Sequence, residues 1–139
     1  MKQDIEDIMN GKILAVDDEP DQLAMLDELL TEEGFTIDTA VNGLDAFDKI
    51  GRCRPDLIVT DISMPKMNGF TFCEKLRKNP ATAAIPVLML TGLRSQLDRL
   101  NGFAHGTNAY LIKPYKPEEL IGVVNKVLRG AMGASPLVP

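Results

Sequence analysis

The chain has 139 residues, of which 45% are hydrophobic and 25% charged, the length and composition of one globular domain rather than of a disordered or fibrous chain. Its net charge of −5 disfavours intrinsic DNA binding, which relies on basic side chains that neutralise phosphates. The N-terminus lacks an apolar signal region, and no stretch approaches the roughly 18 apolar residues of a membrane span. We therefore expect a cytoplasmic protein that binds neither membranes nor nucleic acid directly.

Five short apolar runs are predicted to be strands. They are Lys12–Val16, Thr36–Ala40, residues 57–60, residues 87–90 and Ala109–Ile112. The first, third and fourth runs are almost continuously hydrophobic, which is typical of parallel strands covered by helices on both faces. Thr36–Ala40 is the most polar run, so we expect it at an edge of the sheet.

Segments with the helical period of 3.6 residues alternate with these runs. The predicted helices are residues 21–33, 42–50, 69–78, 95–104 and 116–129. Pro20 and Pro117 suit a first helical turn, Gly34 suits the end of the first helix, and Asn68 suits a helix cap. We expect an N-terminal extension at residues 1–11, one domain at residues 12–129, and a flexible tail or linker at residues 130–139.

The two cysteines and the methionines are predicted to serve packing. Cys53 and Cys73 form no Cys-x-x-Cys pair or Cys/His cluster, so we expect buried, reduced thiols rather than a zinc site or a disulfide. Met25 and Met89 fall in amphipathic or buried runs, and we expect both in the core.

Polar side chains stand at the carboxyl ends of the predicted strands. Asp17 and Asp18 follow the first strand, Asp61 the third, Thr91 the fourth and Lys113 the fifth. Five strand and helix repeats predict a parallel α/β sheet with right-handed crossovers, whose functional site lies outside these strand ends. Taken singly, each residue could cap a helix, end a strand or face solvent, but a joint cluster of oxygen ligands without His or Cys favours Mg²⁺.

Four motifs at these strand ends resemble the receiver domains of two-component response regulators, of the chemotaxis-regulator type. They are VDDEP at residues 16–20, VTDISMPKMNG at 59–69, LTG at 90–92 and YLIKP at 110–114. The resemblance covers residues 12–129. It implies a flavodoxin-like, doubly wound sheet of five parallel strands in the order 2-1-3-4-5, with five helices.

The resemblance also implies the chemistry of the site. Asp61 would accept a phosphoryl group from a sensor histidine kinase or a phosphotransfer protein. Asp17, Asp18, Asp61 and the backbone carbonyl of Ser63 would hold Mg²⁺, and Lys113 would pair with a phosphoryl oxygen. The protein would then be a phosphoacceptor that assists its own phosphorylation and dephosphorylation, not an enzyme acting on other substrates.

A conformational switch is the second implication of the resemblance. Thr91 would donate its hydroxyl to the phosphoryl group and move toward it, and Tyr110 would change rotamer. The Lys113–Pro114 peptide bond would be cis. The switched face would regulate an output partner that the sequence does not identify, and a homodimer through this face is a further expectation.

Some positions depart from the family pattern. Gly92 replaces a commoner alanine, Tyr115 stands where phenylalanine is usual, and Asn108 and Ala109 replace a pair that is often acidic. None of these changes removes a site residue.

Three other functions remain to be weighed. A hydrolase of the haloacid-dehalogenase type also uses an aspartate at a strand end with Mg²⁺. Such enzymes have a second aspartate two positions after the nucleophile, which acts as acid and base, and this chain has Ser63 there. A flavodoxin-like cofactor binder would need hydroxyls and glycines in the loop that here reads VDDEPD. A degenerate receiver acting only as a scaffold would not keep every site residue.

Overall fold

The computed structural model describes residues 11–92 and 106–130 of the chain. Its strands are β1 Lys12–Val16, β2 Thr36–Ala40, β3 Leu57–Asp61, β4 Val87–Thr91 and β5 Ala109–Ile112. The helices among these residues are α1 Pro20–Glu32, α2 Gly43–Arg52, α3 Gly69–Lys78 and α4 Pro117–Leu128. All neighbouring strands pair in parallel, in the order β2-β1-β3-β4-β5.

This topology confirms the flavodoxin-like, doubly wound sheet, and β2 lies at an edge as its polarity predicted. β3 and β4 each extend one residue beyond the prediction, so that Asp61 and Thr91 are the last residues of their strands. The described residues contain four of the five predicted helices. The remaining one, at residues 95–104, lies outside them, as do residues 1–10 and 131–139.

Each central strand contributes alternate residues to two hydrophobic clusters, one on each face of the sheet. In β1, Ile13 and Ala15 belong to one cluster and Leu14 and Val16 to the other. Because successive side chains point to opposite faces, a strand covered on both sides is apolar at every position. The helices contribute Leu23, Leu26, Leu30, Leu120, Val123, Val124 and Val127 to the first cluster, and Ala46, Ile50, Phe72, Cys73 and Leu76 to the second.

The helix ends follow from local chemistry. Asn68 caps α3 through its Oδ1, which accepts a hydrogen bond from Thr71 N–H at 2.9 Å. Gly34 has a φ of +95° and ends α1 in a Schellman motif, because its N–H donates to Thr31 O and Phe35 N–H donates to Leu30 O. Glycine fits here because its left-handed conformation costs no steric clash. Both predicted helix ends are confirmed.

Two packing predictions were wrong. Cys53 is exposed, because it follows α2 in the loop that leads to β3, whereas Cys73 is buried in the second cluster as predicted. Met25 is 42% exposed, since it lies on α1 between Leu23 and Leu26 but outside the stripe that faces the sheet. Neither described cysteine forms a disulfide.

No helix in the described part of the chain is long and apolar enough to cross a membrane.

Arg77, near the end of α3, ties this helix to the beginnings of β4 and β5. Its guanidinium donates to the carbonyl oxygens of Ile85 at 2.7 Å and Gly106 at 3.0 Å. It also donates to Asn108 Oδ1 at 2.8 Å, and the same oxygen accepts from Val87 N–H at 2.9 Å. Asn108 therefore joins three elements through one acceptor atom.

We expect Asn108→Leu to lower the free energy of unfolding by about 1–3 kcal/mol, because it leaves two partly buried donors without their acceptor. Urea denaturation measures the loss. Asn108→Asp is the matched control, since it keeps an oxygen at this position and is expected to be at least as stable as the wild type. A loss within about 0.5 kcal/mol for the leucine variant would contradict the role of this acceptor.

Candidate functional site

The site lies at the carboxyl edge of the sheet, where β1 and β3 are neighbours. Asp17 and Asp18 follow β1, and Asp61 ends β3. One carboxylate oxygen from each of the three lies within 4.8 Å of the others. The structure thus brings Asp61 together with two acidic residues that lie far from it in the sequence.

Lys113 follows β5. In the strand order, the acidic pair after β1 therefore lies on one side of Asp61 and Lys113 lies on the other. Its Nζ is 3.3 Å from Asp61 Oδ1, and the two side chains are 26% and 14% exposed. Its backbone N–H donates to Thr91 O at 2.7 Å, which continues the pairing of β4 and β5 as far as the site. The peptide bond between Lys113 and Pro114 is cis.

Asp17 is the most buried of the three carboxylates, with 2% of its surface exposed. Its Oδ1 accepts a hydrogen bond from Glu19 N–H at 3.0 Å. Burial is the largest cause that raises the pKa of Asp17 above its ordinary value, and the negative charge of Asp61 raises it further. The hydrogen bond from Glu19 N–H lowers this pKa but does not cancel the effect of burial. Asp18, by contrast, is exposed.

Two residues beside the carbonyl oxygen of Asp61 have a part in the site that the sequence analysis did not recognise. The hydroxyl of Thr60, which is fully buried, donates to Asp61 O at 3.1 Å. A Cβ atom added to Gly69 would lie 2.5 Å from the same oxygen, so only glycine allows α3 to begin this close to β3. The sequence carried no signal for Thr60, since a threonine in a buried strand ordinarily serves packing.

The remaining predicted site residues lie around this cluster. Thr91, the last residue of β4, is 2% exposed, and Tyr110 is fully buried in the second hydrophobic cluster. Ser63 is exposed in the loop between β3 and α3. These positions agree with the expected arrangement, while the roles of the side chains and of the Ser63 carbonyl stay predictions.

A groove of about 500 Å³ adjoins the site and shares Lys113 with it. Its lining consists of Gln22, Met25 and Leu29 from α1, and of Lys113, Pro114, Tyr115 and Pro117 after β5. The exposed Met25 side chain makes the α1 side of this groove apolar.

The donor atoms at the site fit a hard divalent cation. The cluster offers three carboxylates and, among the described residues, no His or Cys ligand. Oxygen-only ligands suit Mg²⁺. A cation there would also offset the mutual repulsion of the carboxylates, of which the Lys113 ammonium can offset only part.

Residues 13–125 match the family described as the response regulator receiver domain. The chain therefore belongs to this family, and it is the receiver domain of a two-component response regulator.

Two solved structures illustrate the fold. The chemotaxis protein CheY4 of Vibrio cholerae superposes with a TM-score of 0.79 at 35% identity, over 84% of this chain and 97% of that one. The receiver domain of the sensor histidine kinase PA1611 of Pseudomonas aeruginosa, solved with a magnesium ion coordinated in its active site cleft, gives a TM-score of 0.79 at 28% identity, over 86% and 98% of the two chains.

Curated relatives share the domain within longer proteins. The DNA-binding dual master transcriptional regulator RpaA of Synechocystis is 39% identical over 118 residues, which are 85% of this chain and 49% of that protein. The alkaline phosphatase synthesis transcriptional regulatory protein PhoP of Bacillus subtilis is 37% identical, over 92% and 52% of the two chains. The chain spans about half the length of these relatives.

The raised pKa of Asp17 makes the stability of the metal-free protein depend on pH. Between the ordinary pKa of 3.8 and the higher folded value, the native state binds more protons than the unfolded chain, so stability is expected to fall as pH rises through this window. Asp17→Asn keeps an acceptor for Glu19 N–H and removes the buried charge. At pH 7 in EDTA we expect it to be about 0.5–2 kcal/mol more stable than the wild type, measured by urea denaturation.

Asp18→Asn is the control for this prediction, because the same chemical change at an exposed carboxylate should leave most of the pH dependence in place. An Asp17→Asn variant that is less stable than the wild type at pH 7 in EDTA would show that the buried carboxylate stabilises the fold.

Proposed function

We propose that Asp61 of this receiver accepts a phosphoryl group from a sensor histidine kinase or a phosphotransfer protein, in a reaction that requires Mg²⁺. Asp17, Asp18, Asp61 and the carbonyl of Ser63 would hold the ion. The observation that carries the proposal is the placement of Asp61, which has the Lys113 ammonium 3.3 Å from one of its oxygens and two further carboxylates beside it.

These residues support direct transfer of the phosphoryl group from the donor to Asp61. A carboxylate oxygen of Asp61 attacks phosphorus in line, the new P–O bond forms an aspartyl phosphate, and the bond between phosphorus and the donor breaks. Lys113 attracts the equatorial phosphoryl oxygens as charge shifts onto them. Mg²⁺, when bound, supplies the remaining positive charge. Ser63 offers no carboxylic acid to protonate a leaving group, which favours a phosphoacceptor over a hydrolase of the haloacid-dehalogenase type.

The switch is proposed to pass from β4 to β5. Phosphorylation supplies new acceptor oxygens, and the Thr91 hydroxyl would move toward them and open space into which Tyr110 turns. Met89, two residues before Thr91, pairs with Tyr110 in the sheet, so a shift at the end of β4 acts next to the tyrosine. A charge-assisted hydrogen bond of about 1.5–3 kcal/mol would bias two conformations roughly 10- to 150-fold.

The groove beside Lys113 supports a protein as phosphodonor. A donor segment lying over Met25 and Leu29 would reach Lys113 and hence Asp61. An exposed apolar side chain in a groove that shares Lys113 with the site suits a partner that brings its own apolar surface. The output partner and a homodimer remain proposals, as does a cytoplasmic location, which the free thiols of Cys53 and Cys73 suit.

Incubation with acetyl phosphate tests the proposed function. With Mg²⁺ we expect one covalent phosphoryl adduct that is stable in acid and labile in base, detected by intact mass. EDTA and Asp61→Asn should each abolish it. Adduct formation in Asp61→Asn at the wild-type yield would place the nucleophile elsewhere, and sustained turnover of alkyl or sugar phosphates would indicate a hydrolase.

Lys113→Met is expected to slow phosphorylation by acetyl phosphate about 100- to 1000-fold, because it removes one preorganised donor from the transition state. The initial rate of adduct formation measures this effect. Lys126→Met is the matched control, since it removes the same charge from the exposed face of α4 and should react like the wild type. Equal rates for the two variants would contradict the role of Lys113.

A further inference from the structure

A second groove, of about 430 Å³, lies between α1 and α4. It meets the groove beside Lys113 at Leu29, but none of the residues that line it belongs to the acidic cluster of the proposed phosphoacceptor site. We call it the acidic groove. Its lining includes Leu29, Glu32 and Glu33 of α1 and Glu118, Ile121 and Gly122 of α4.

Each of the two helices presents one stripe of side chains to the acidic groove. Residues 29, 32 and 33, at the end of α1, and residues 118, 121 and 122 of α4 have the spacing i, i+3 and i+4, which places each set on one face of its helix. Leu29 and Ile121 pack partly buried against the first hydrophobic cluster and give the groove its apolar surface. A groove between two such stripes has the shape that an added helix needs.

Gly122 is a glycine that the packing of the described chain does not require. It lies in the middle of α4, where glycine is less favourable than alanine. A Cβ atom added to it would meet no other atom within 4 Å. The missing side chain instead leaves room in the acidic groove and allows the backbone of a ligand to approach α4 closely.

Negative charge surrounds the apolar surface of this groove. Glutamates are the only charged residues in its described lining, which holds no Lys or Arg. Glu32 and Glu118 are exposed, and neither forms an ion pair with another described residue. This surface would repel phosphate groups and the same groove of a second copy, whereas it would attract Lys or Arg side chains.

We propose that the acidic groove is a docking site for a basic amphipathic helix of a partner protein. The apolar side chains of that helix would pack on Leu29 and Ile121, and its backbone would lie near Gly122. Its lysines or arginines would lie beside Glu32 and Glu118. The docking site is separate from the phosphoacceptor carboxylate, so the proposal does not depend on phosphorylation.

Peptide binding to the full chain tests the proposal. The probe is a fluorophore-labelled leucine–lysine peptide of about 14 residues, or four helical turns, with its leucines on one face. We expect fluorescence anisotropy to show saturable binding, and ¹H–¹⁵N spectra to show the largest shifts at residues 29–33 and 118–125. A leucine–glutamate peptide of the same pattern is the control and should not bind.

Gly122→Gln fills the acidic groove from within. Glutamine is a better helix former than glycine, and its Cβ would meet no described atom, so urea denaturation should show a fold at least as stable as the wild type. We expect the affinity for the leucine–lysine peptide to fall about 10-fold or more. Gly51→Gln is the matched control, because Gly51 lies in α2, has equally open surroundings and does not line the groove.

Glu32→Gln tests the charge of the groove separately. We expect it to weaken binding of the leucine–lysine peptide about 2- to 5-fold, with a loss that shrinks as salt is added. Glu28→Gln is the matched control and should bind the peptide like the wild type, since Glu28 is exposed on the same helix but lines neither groove.

The outcomes separate this inference from the proposed function. Equal affinities for Gly122→Gln and Gly51→Gln would overturn the docking site, as would an equal loss in the two glutamate variants. Dimerisation of the wild type that Gly122→Gln abolishes would assign the groove to a second copy of the chain and also overturn it. Asp61→Asn should bind the peptide like the wild type, and loss of binding there would place the peptide at the phosphoacceptor site instead.

Discussion

The mutual repulsion of three carboxylates at one edge of the sheet is the constraint on which the site depends. Asp17, Asp18 and Asp61 place oxygens within 4.8 Å of one another, and one of these side chains is almost completely buried. The single ammonium of Lys113 lies beside Asp61 and balances only part of this charge. The arrangement is therefore one that a bound cation would stabilise.

The fold sustains this unfavourable arrangement because the strands that carry it are fixed on both faces. Helices cover each side of the central strands with separate apolar clusters, and the carboxylates lie at the carboxyl ends of β1 and β3. The start of α3 approaches the carbonyl of Asp61 so closely that only Gly69 fits. Burial of apolar surface in these clusters thus outweighs the repulsion between the like charges at the edge of the sheet.

Hydrogen bonds join the site edge of β4 to that of β5, and other hydrogen bonds fix the opposite ends of these two strands. The backbone N–H of Lys113, which follows β5, donates to Thr91 O at the end of β4, and residues 88–91 of β4 pair with all of β5. At the opposite ends of the same two strands, Arg77 and Asn108 fix where β4 and β5 begin. The ends of β4 and β5 opposite the site are therefore held by side-chain hydrogen bonds.

The sequence by itself determined the α/β class, the strands almost to the residue, and the identity of the residues at the strand ends, because apolar runs and helical periodicity are local properties of the chain. Motifs near Asp17, Asp61, Thr91 and Lys113 also identified the family. Only the tertiary structure decided that the Lys113 ammonium contacts Asp61 and that Thr60 donates to the Asp61 carbonyl oxygen, which Gly69 approaches closely. It also decided that Met25 and Cys53 are exposed. Whether a side chain faces solvent, a neighbouring strand or another charge depends on packing between distant segments. For that reason the sequence did not reveal that the hydroxyl of Tyr115 is buried and has no hydrogen-bond partner among the described residues.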